Sequence, residues 1–201
     1  LSGCYVIHHI IFKQPEKLKR MYHRIILAMN IFVLLSAINW FIGTWAMPIG
    51  TPYRLGAAGN QATCTLQGFV QIIVVIAVPF YYSSLSIYSC VALRNSFKEQ
   101  HFRHIEKWIH LAAICLSVPT AIFGFAKNAI NPRDFVCSGE ENPQGCVHDP
   151  DVPCERGGDD LTLAVKRIYG LLLITVTFVI PPTAFIYLRA SIKKANGDMD
   201  G

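Results

Sequence analysis

The chain has 201 residues, of which 52% are hydrophobic and only 15% are charged. Because an ordinary soluble domain carries about a quarter charged residues, this composition argues against a soluble protein and favours one that lies in a lipid bilayer. The net charge of +5 is unevenly distributed along the chain, and the distribution described below needs no nucleic-acid partner to explain it.

The apolar residues occur in uncharged runs that are long enough to cross a membrane. A hydrocarbon layer of about 30 Å requires roughly 20 helical residues, and backbone in contact with lipid has to be helical so that its polar groups are paired. Four runs meet this length, namely residues 25–47, 66–93, 108–126 and 168–188. The N-terminal run, residues 1–12, is too short to span alone and is expected to be the inner end of a first helix.

These runs predict an all-α, polytopic transmembrane helix bundle in a single domain, with one truncated and four complete spans. The predicted helices 1 to 5 cover residues 1–12, 22–47, 63–94, 105–128 and 161–192. The segments between them are the inner loops 13–21 and 95–104, the outer loops 48–62 and 129–160, and an inner tail, 193–201.

Lysine and arginine residues collect beside one set of helix ends. Residues 13–24 hold five of them, residues 94–107 hold four, and residues 189–194 hold three. The opposite segments, 48–65 and 128–160, hold three between them, and the second of these carries eight of the 13 acidic residues. Because the side with the lysine and arginine excess usually stays cytoplasmic, the acidic loop is predicted to be extracellular.

Cysteine positions agree with this orientation. Four cysteines, Cys64, Cys137, Cys146 and Cys154, fall on the predicted outer side, where disulfides persist. Three pairings are possible, and the sequence alone does not choose among them. We favour Cys64 with Cys137, which would tie the start of predicted helix 3 to the long loop, and Cys146 with Cys154. Free thiols or metal ligands are the alternative, but the CxxC spacing typical of zinc sites is absent and we assign no metal.

Several stretches together resemble the seven-helix G-protein-coupled receptors. They are the basic inner loop KQPEKLKRMYHR, the second helix LAMNIFVLLS, Cys64 opening a long third helix, Cys137 in the next outer loop and a proline-bearing fifth helix. More closely, YHRIILAMNIFVLLSAINW and GNQATCTLQGF are similar to cyclic-AMP-receptor-like and secretin-like receptors of unicellular eukaryotes. The resemblance covers the whole chain as the end of helix 1 through helix 5, and it implies a fragment without helices 6 and 7.

The resemblance implies a receptor in the plasma membrane, with loop 129–160 extracellular, that transmits the binding of an unidentified extracellular ligand to a cytoplasmic heterotrimeric G protein. Contact with the G protein would fall on basic residues at the inner helix ends, which are Arg94, Lys98, Arg103, Lys193 and Lys194. Arg94 has no acidic neighbour, so the charged lock that ends helix 3 of rhodopsin-like receptors is not expected.

Two groups of polar residues are candidates for ligand binding. Steps of three and four residues from Cys64 place Gln67, Gln71 and Tyr82 on one stripe of predicted helix 3, and polar groups in a membrane helix face the bundle interior. The stripe would line a pocket open to the outside. The alternative is that its amides hydrogen-bond neighbouring helices, as we expect for Asn39.

Lys166 and Arg167 form the second group, at the outer end of predicted helix 5. These cations would attract an anionic ligand. The alternative, which we favour, is that they reach lipid headgroups or pair with Asp159 or Asp160.

No enzyme signature is present in the sequence. It has no GxSxG, HExxH, P-loop or dinucleotide fingerprint, so neither an enzymatic activity nor a cofactor is expected. The alternative to a receptor is a transporter or channel subunit in which the polar stripe of helix 3 lines a pathway. A membrane scaffold resembling the tetraspanins is a third possibility, but their CCG signature is missing from the long loop.

Overall fold

A computed structural model describes residues 2–52, 54–149 and 151–197, without the side chains of residues 2, 101 and 193–197. The chain is mostly helical, as expected for the all-α class. Its α-helices are α1 (Ser2–His8), α2 (Met21–Ile42), α3 (Gln61–Arg94), α4 (Ile105–Ala126), α5 (Asp160–Ile174) and α6 (Ile180–Gly197).

Within the described residues, four helical segments are long and apolar enough to cross a membrane, as expected of a multi-pass membrane protein. They are Met21–Ala46, Gln61–Arg94, Ile105–Ala126 and Asp160–Ile192. The first of them extends α2 by a short 3₁₀ turn, Gly43–Ala46. The N-terminal α1 continues into a π-helical turn, His9–Lys13.

The last span is one continuous helical segment that a π-helical turn divides into α5 and α6. A π-helical turn, Thr175–Val179, joins α5 to α6, and Pro181 and Pro182 follow in the first turn of α6. A proline has no N–H to donate and its ring crowds the preceding turn, so the backbone widens where the prolines enter. Pro79 and Pro119 lie inside α3 and α4, which continue through them.

The chain divides into two compact units, which we describe separately. The ion-pair unit comprises Leu1–Ile31, Val78–Ala113 and Leu171–Gly201. The hairpin unit comprises Phe32–Ala77 and Ile114–Gly170.

The hairpin unit contains a small sheet that the sequence analysis did not predict. Strands β1 (Ile130–Pro132) and β2 (Cys137–Gly139) pair antiparallel within the long loop, with Ile130 opposite Gly139 and Pro132 opposite Cys137. Three residues per strand are too few for an alternating pattern to be recognised in a sequence.

A close approach between α3 and the hairpin depends on Gly68. A Cβ atom at this position would overlap Cγ2 of Ile130 and lie 3.1 Å from the carbonyl carbon of Cys137. The absence of a side chain therefore lets β1 and β2 pack directly on α3. The same packing buries Met47, Cys64 and Cys137 together.

Candidate functional site

Two disulfides join the four cysteines that we predicted to lie outside. Cys64 is bonded to Cys137, with their Cα atoms 5.3 Å apart, and Cys146 to Cys154, with their Cα atoms 5.2 Å apart. This is the pairing that we favoured among the three that the sequence allows. The first bridge fastens the second turn of α3 to β2, and the second closes a short loop ahead of α5.

Gln67 supports the first bridge from the same face of α3. Its side chain is buried, and its Nε2 donates to the carbonyl oxygens of Gly43 at 2.8 Å and Asn39 at 3.3 Å. Its Oε1 accepts the backbone N–H of Cys137 at 3.0 Å. One amide therefore links the end of α2 and β2 to α3.

Gln71, one turn further along α3, is also bonded inside the protein. Its Oε1 accepts a hydrogen bond from Nδ2 of Asn39 at 2.7 Å, and Asn39 also donates to the carbonyl oxygen of Gln67 at 3.3 Å. All three side chains are buried. The two glutamines thus act in helix packing, the alternative given for them above.

Tyr82 does not continue the buried face that carries the two glutamines. Its side chain is 51% exposed, whereas that of Tyr81 is 2% exposed. The buried residues Gln67, Val74 and Tyr81 are seven apart, the interval expected where helices pack at a shallow angle. On an ideal helix Tyr82 lies about 20° around the axis from Gln71, so its exposure shows that the packing that buries the two glutamines does not extend along the stripe to Tyr82.

Lys166 lies in a cluster of charged residues at the start of α5. Its Nζ is 2.6 Å from Oε1 of Glu140 and 3.0 Å from Oε2 of Glu141, while Nη1 of Arg133 is 3.3 Å from Oε2 of Glu140. Both glutamates are buried. Burial alone would raise the pKa of Glu141, but the hydrogen bond from Lys166 leads the opposing effects, which lower this pKa to about 2.

The partners of Lys166 are therefore Glu140 and Glu141, not Asp159 or Asp160. Asp159 instead caps α5, because its carboxylate accepts from the Thr162 hydroxyl at 2.7 Å and from the Thr162 N–H at 3.3 Å. These hydrogen bonds are the main reason that the pKa of Asp159 is lowered. Its other partner is Lys127, at 3.5 Å. Arg167 is exposed.

The ion-pair unit contains an open cavity of about 520 Å³. The residues around it come from the start of α2, the end of α3, the following loop and α6, and they are Arg20, Tyr22, His23, Tyr88, Ser89, Leu93, Phe97, Glu99, Phe185, Leu188, Arg189 and Ile192. This cavity is not apparent in the sequence, because its lining is brought together from four separate parts of the chain.

Glu99 connects two walls of this cavity. Its carboxylate accepts the Tyr88 hydroxyl at 2.8 Å and the backbone N–H of Met21 at 3.2 Å. Met21 is the first residue of α2, where backbone N–H groups have no partner within the helix and the helix dipole favours a negative charge. The Tyr22 and Tyr88 rings also contact each other, with centroids 5.6 Å apart.

A chain of polar side chains links α2, α4 and α3 elsewhere in the ion-pair unit. Arg24 makes a two-pronged ion pair with Glu106. His110, one turn along α4, places Nε2 3.9 Å from Oε1 of Glu106 and Nδ1 2.9 Å from the Tyr81 hydroxyl. Sequence reasoning missed the Arg24–Glu106 pair because 82 residues separate its members.

The basic residues predicted to contact a G protein lie at the end of α3 and beyond it. Arg94 is the last residue of α3, and Arg94, Lys98 and Arg103 are exposed. Among the residues that the structure describes, none of these three makes an ion pair. Lys193 and Lys194 belong to α6, and their side chains lie outside the described part of the structure.

No protein-family model, curated protein or solved structure matches this chain. The class of protein that fold and sequence define is a multi-pass membrane protein with a disulfide-bonded loop.

Proposed function

We propose that the chain is part of a seven-helix cell-surface receptor that transmits an extracellular signal to a cytoplasmic heterotrimeric G protein. The observation that carries this proposal is the connection between α3 and the acidic loop. It consists of the Cys64–Cys137 bridge and the hydrogen bond from the Cys137 N–H to Gln67. A loop bound in this way passes a change in its own position to the helix.

The orientation in the proposal follows from charge. The loop that contains β1 and β2 is acidic, and the segments beside Arg20, Lys98 and Arg189 are basic. Basic segments usually stay in the cytoplasm, so the hairpin lies outside, in the oxidising environment in which its two disulfides are stable.

Signalling requires that the ligand bind one arrangement of the helices more tightly than another. The contacts that such a change would alter are those at the start of α2. There Glu99 accepts from the Met21 N–H and the Tyr88 hydroxyl, and Arg24 pairs with Glu106. Their rearrangement would change the surface around Arg94, Lys98 and Arg103, where we place the G protein.

The transporter alternative depended on the polar stripe of α3. Gln67 and Gln71 are both hydrogen-bonded to protein groups, and Tyr82 is exposed. No observation therefore favours a polar pathway along this helix.

Nucleotide exchange tests the proposal. Membranes of cells that express the chain are mixed with purified heterotrimeric G proteins of each class, and the uptake of a labelled, non-hydrolysable GTP analogue is followed. We expect faster uptake than with membranes lacking the chain for at least one class. The double variant Lys98→Glu/Arg103→Glu should remove the increase, because both exposed cations would be reversed.

The matched control is Arg54→Glu, which reverses an arginine of the predicted outer loop 48–62 that pairs at 3.9 Å with Asp134. It should leave the exchange rate unchanged. Uptake that never exceeds that of membranes without the chain contradicts the proposal. So does an equal loss in the control and the double variant.

A further inference from the structure

A second cavity lies in the hairpin unit, against the start of α3 and the end of α4, and it has a volume of about 550 Å³. Its lining changes character with position along the helices. Gln61, Thr65, Asn128 and Arg156 supply polar groups at the helix ends or just beyond them, whereas Leu66, Phe69 and Phe125 supply apolar surface.

The position of this cavity relative to the bilayer follows from the two spans. Gln61 is the first residue of the span Gln61–Arg94, and Ala126 is the last residue of the span Ile105–Ala126. Because the uncharged run 66–93 begins at Leu66 and the last apolar residues of α4 are at its end, we place the polar lining at the level of the lipid headgroups and the apolar lining at the edge of the hydrocarbon layer. Leu66 and Phe125 are 67% and 59% exposed, so this apolar surface is open to lipid.

Arg156 supplies a charge at the polar end. It is half-buried, and it makes no ion pair with any residue that the structure describes. Arg54 and Arg133, the other arginines of the predicted outer loops, both pair with acids. A planar guanidinium binds phosphate oxygens through two parallel hydrogen bonds. Arg156 therefore offers a site for an anion beside an apolar surface.

A neighbouring cavity of about 680 Å³ shares Asn128 and Arg156 with the 550 Å³ cavity. Lys127, Glu155 and Asp159 also line it, so it carries charges of both signs. A bare carboxylic acid would leave this polar cavity unused. A phosphate diester that bears a polar or zwitterionic substituent would occupy it.

We propose that the surface formed by Leu66, Phe69, Phe125 and Arg156 binds one membrane glycerophospholipid. The phosphate group binds Arg156, the headgroup substituent enters the neighbouring cavity, and an acyl chain lies along the apolar side chains. This site holds a lipid regardless of whether the chain is a receptor, because it depends only on the span ends and on the charge of Arg156.

Native mass spectrometry of the chain, purified in detergent and delipidated, tests this proposal with dioleoyl phosphatidylcholine as the probe. The unaltered chain is expected to retain one lipid molecule. Arg156→Gln should weaken retention about tenfold, the size of effect expected when a hydrogen bond to a charged group is lost. The matched control is Arg54→Gln, which neutralises a half-buried loop arginine outside the cavity and should retain the lipid fully.

A second measurement does not depend on any variant. A phosphatidylcholine with a photoreactive group near the start of one acyl chain is irradiated with the unaltered chain, and the cross-linked peptides are sequenced. Peptides that contain Leu66, Phe69 or Phe125 support the proposal, and cross-links confined to other surfaces overturn it.

Two competitors distinguish the other possible occupants. Oleate that displaces the lipid at equal concentration overturns the phosphate assignment in favour of a simple carboxylate. Inorganic phosphate that displaces it at millimolar concentration overturns the lipid assignment in favour of a free anion. Equal retention by Arg156→Gln and the unaltered chain also overturns the proposal.

Discussion

Removal of the Cys64–Cys137 bridge should destabilise the folded chain more than any other change of cysteines. The bridge closes a segment of 73 residues. If that whole segment were disordered after unfolding, the bridge would restrict the unfolded chain and so contribute about 4 kcal/mol to the free energy of unfolding. In a membrane, however, α3 and α4 remain helical across the bilayer, because their backbone polar groups have no other partners there.

The flexible parts of the segment are then residues 95–104, between α3 and α4, and residues 127–137, from the end of α4 to Cys137. A flexible length of roughly 20 residues reduces the contribution of the bridge to about 3 kcal/mol. We therefore expect the variant Cys64→Ser/Cys137→Ser to lose about 3 to 4 kcal/mol of unfolding free energy.

Reversible unfolding in mixed micelles, followed by circular dichroism as the fraction of denaturing detergent rises, measures this loss. Cys115→Ser, which changes an exposed free cysteine, is the control and should change stability by less than about 0.5 kcal/mol. Cys146→Ser/Cys154→Ser opens a segment of only 8 residues and should cost about 2 kcal/mol. A loss in the Cys64 and Cys137 variant no larger than in the Cys115 control would refute this reasoning.

Three further predictions concern the polar contacts. Gln67→Leu leaves the buried N–H of Cys137 without its acceptor and should lower the free energy of unfolding by about 1 to 3 kcal/mol in the same assay. Tyr82→Phe, at an exposed position, should leave the free energy of unfolding almost unchanged, and equal effects of the two variants would contradict the assignment of Gln67 to packing. Glu106→Gln leaves Arg24 without its charged partner and should lower the free energy of unfolding by about 3 kcal/mol. Adding Arg24→Met to this variant should restore part of the lost stability. If the effects of the two substitutions simply add, the ion pair does not stabilise the chain. The pKa of Glu141 is about 2 in the folded chain, below its ordinary 4.5, so the stability that its charge provides is complete above pH 4.5 and disappears as the pH falls toward 2. The midpoint temperature of unfolding should fall over this window, and Lys166→Met should make that fall smaller, although the lowered pKa of Asp159 contributes to it in both chains. A variant with a fall as large as that of the unaltered chain would refute the role of Lys166.

Some of these features could be predicted from the sequence because a simple physical quantity decides them. The thickness of the hydrocarbon layer determines how long an uncharged run must be, and the runs that include residues 25–47 and 66–93 meet that length. The distribution of lysine and arginine predicts that four of the seven cysteines lie in segments on the outer side of the membrane, where disulfides persist. Three pairings then remained, and the one favoured is present in the structure.

Other features depend on packing, which the sequence does not display. Tyr82 lies on the same side of α3 as Gln71 and yet is exposed, because burial depends on which segments pack against the helix at each level. Lys166 pairs with Glu140 and Glu141 because the hairpin brings these acids to α5 from about 25 positions earlier. The approach of β1 to α3 is visible in the sequence only as one glycine, Gly68.

The orientation of the chain in the membrane is the central claim, and cysteine accessibility tests it most directly. Cys4, Cys90 and Cys115 are replaced by serine, and a single new cysteine is introduced by Leu55→Cys, at a side chain that is 94% exposed, or by Lys98→Cys in the basic segment. Intact cells that express each variant are treated with a maleimide that cannot cross membranes. We expect Leu55→Cys to be labelled in intact cells and Lys98→Cys only after the plasma membrane is permeabilised. Labelling of Lys98→Cys in intact cells, with Leu55→Cys protected until permeabilisation, would contradict the account.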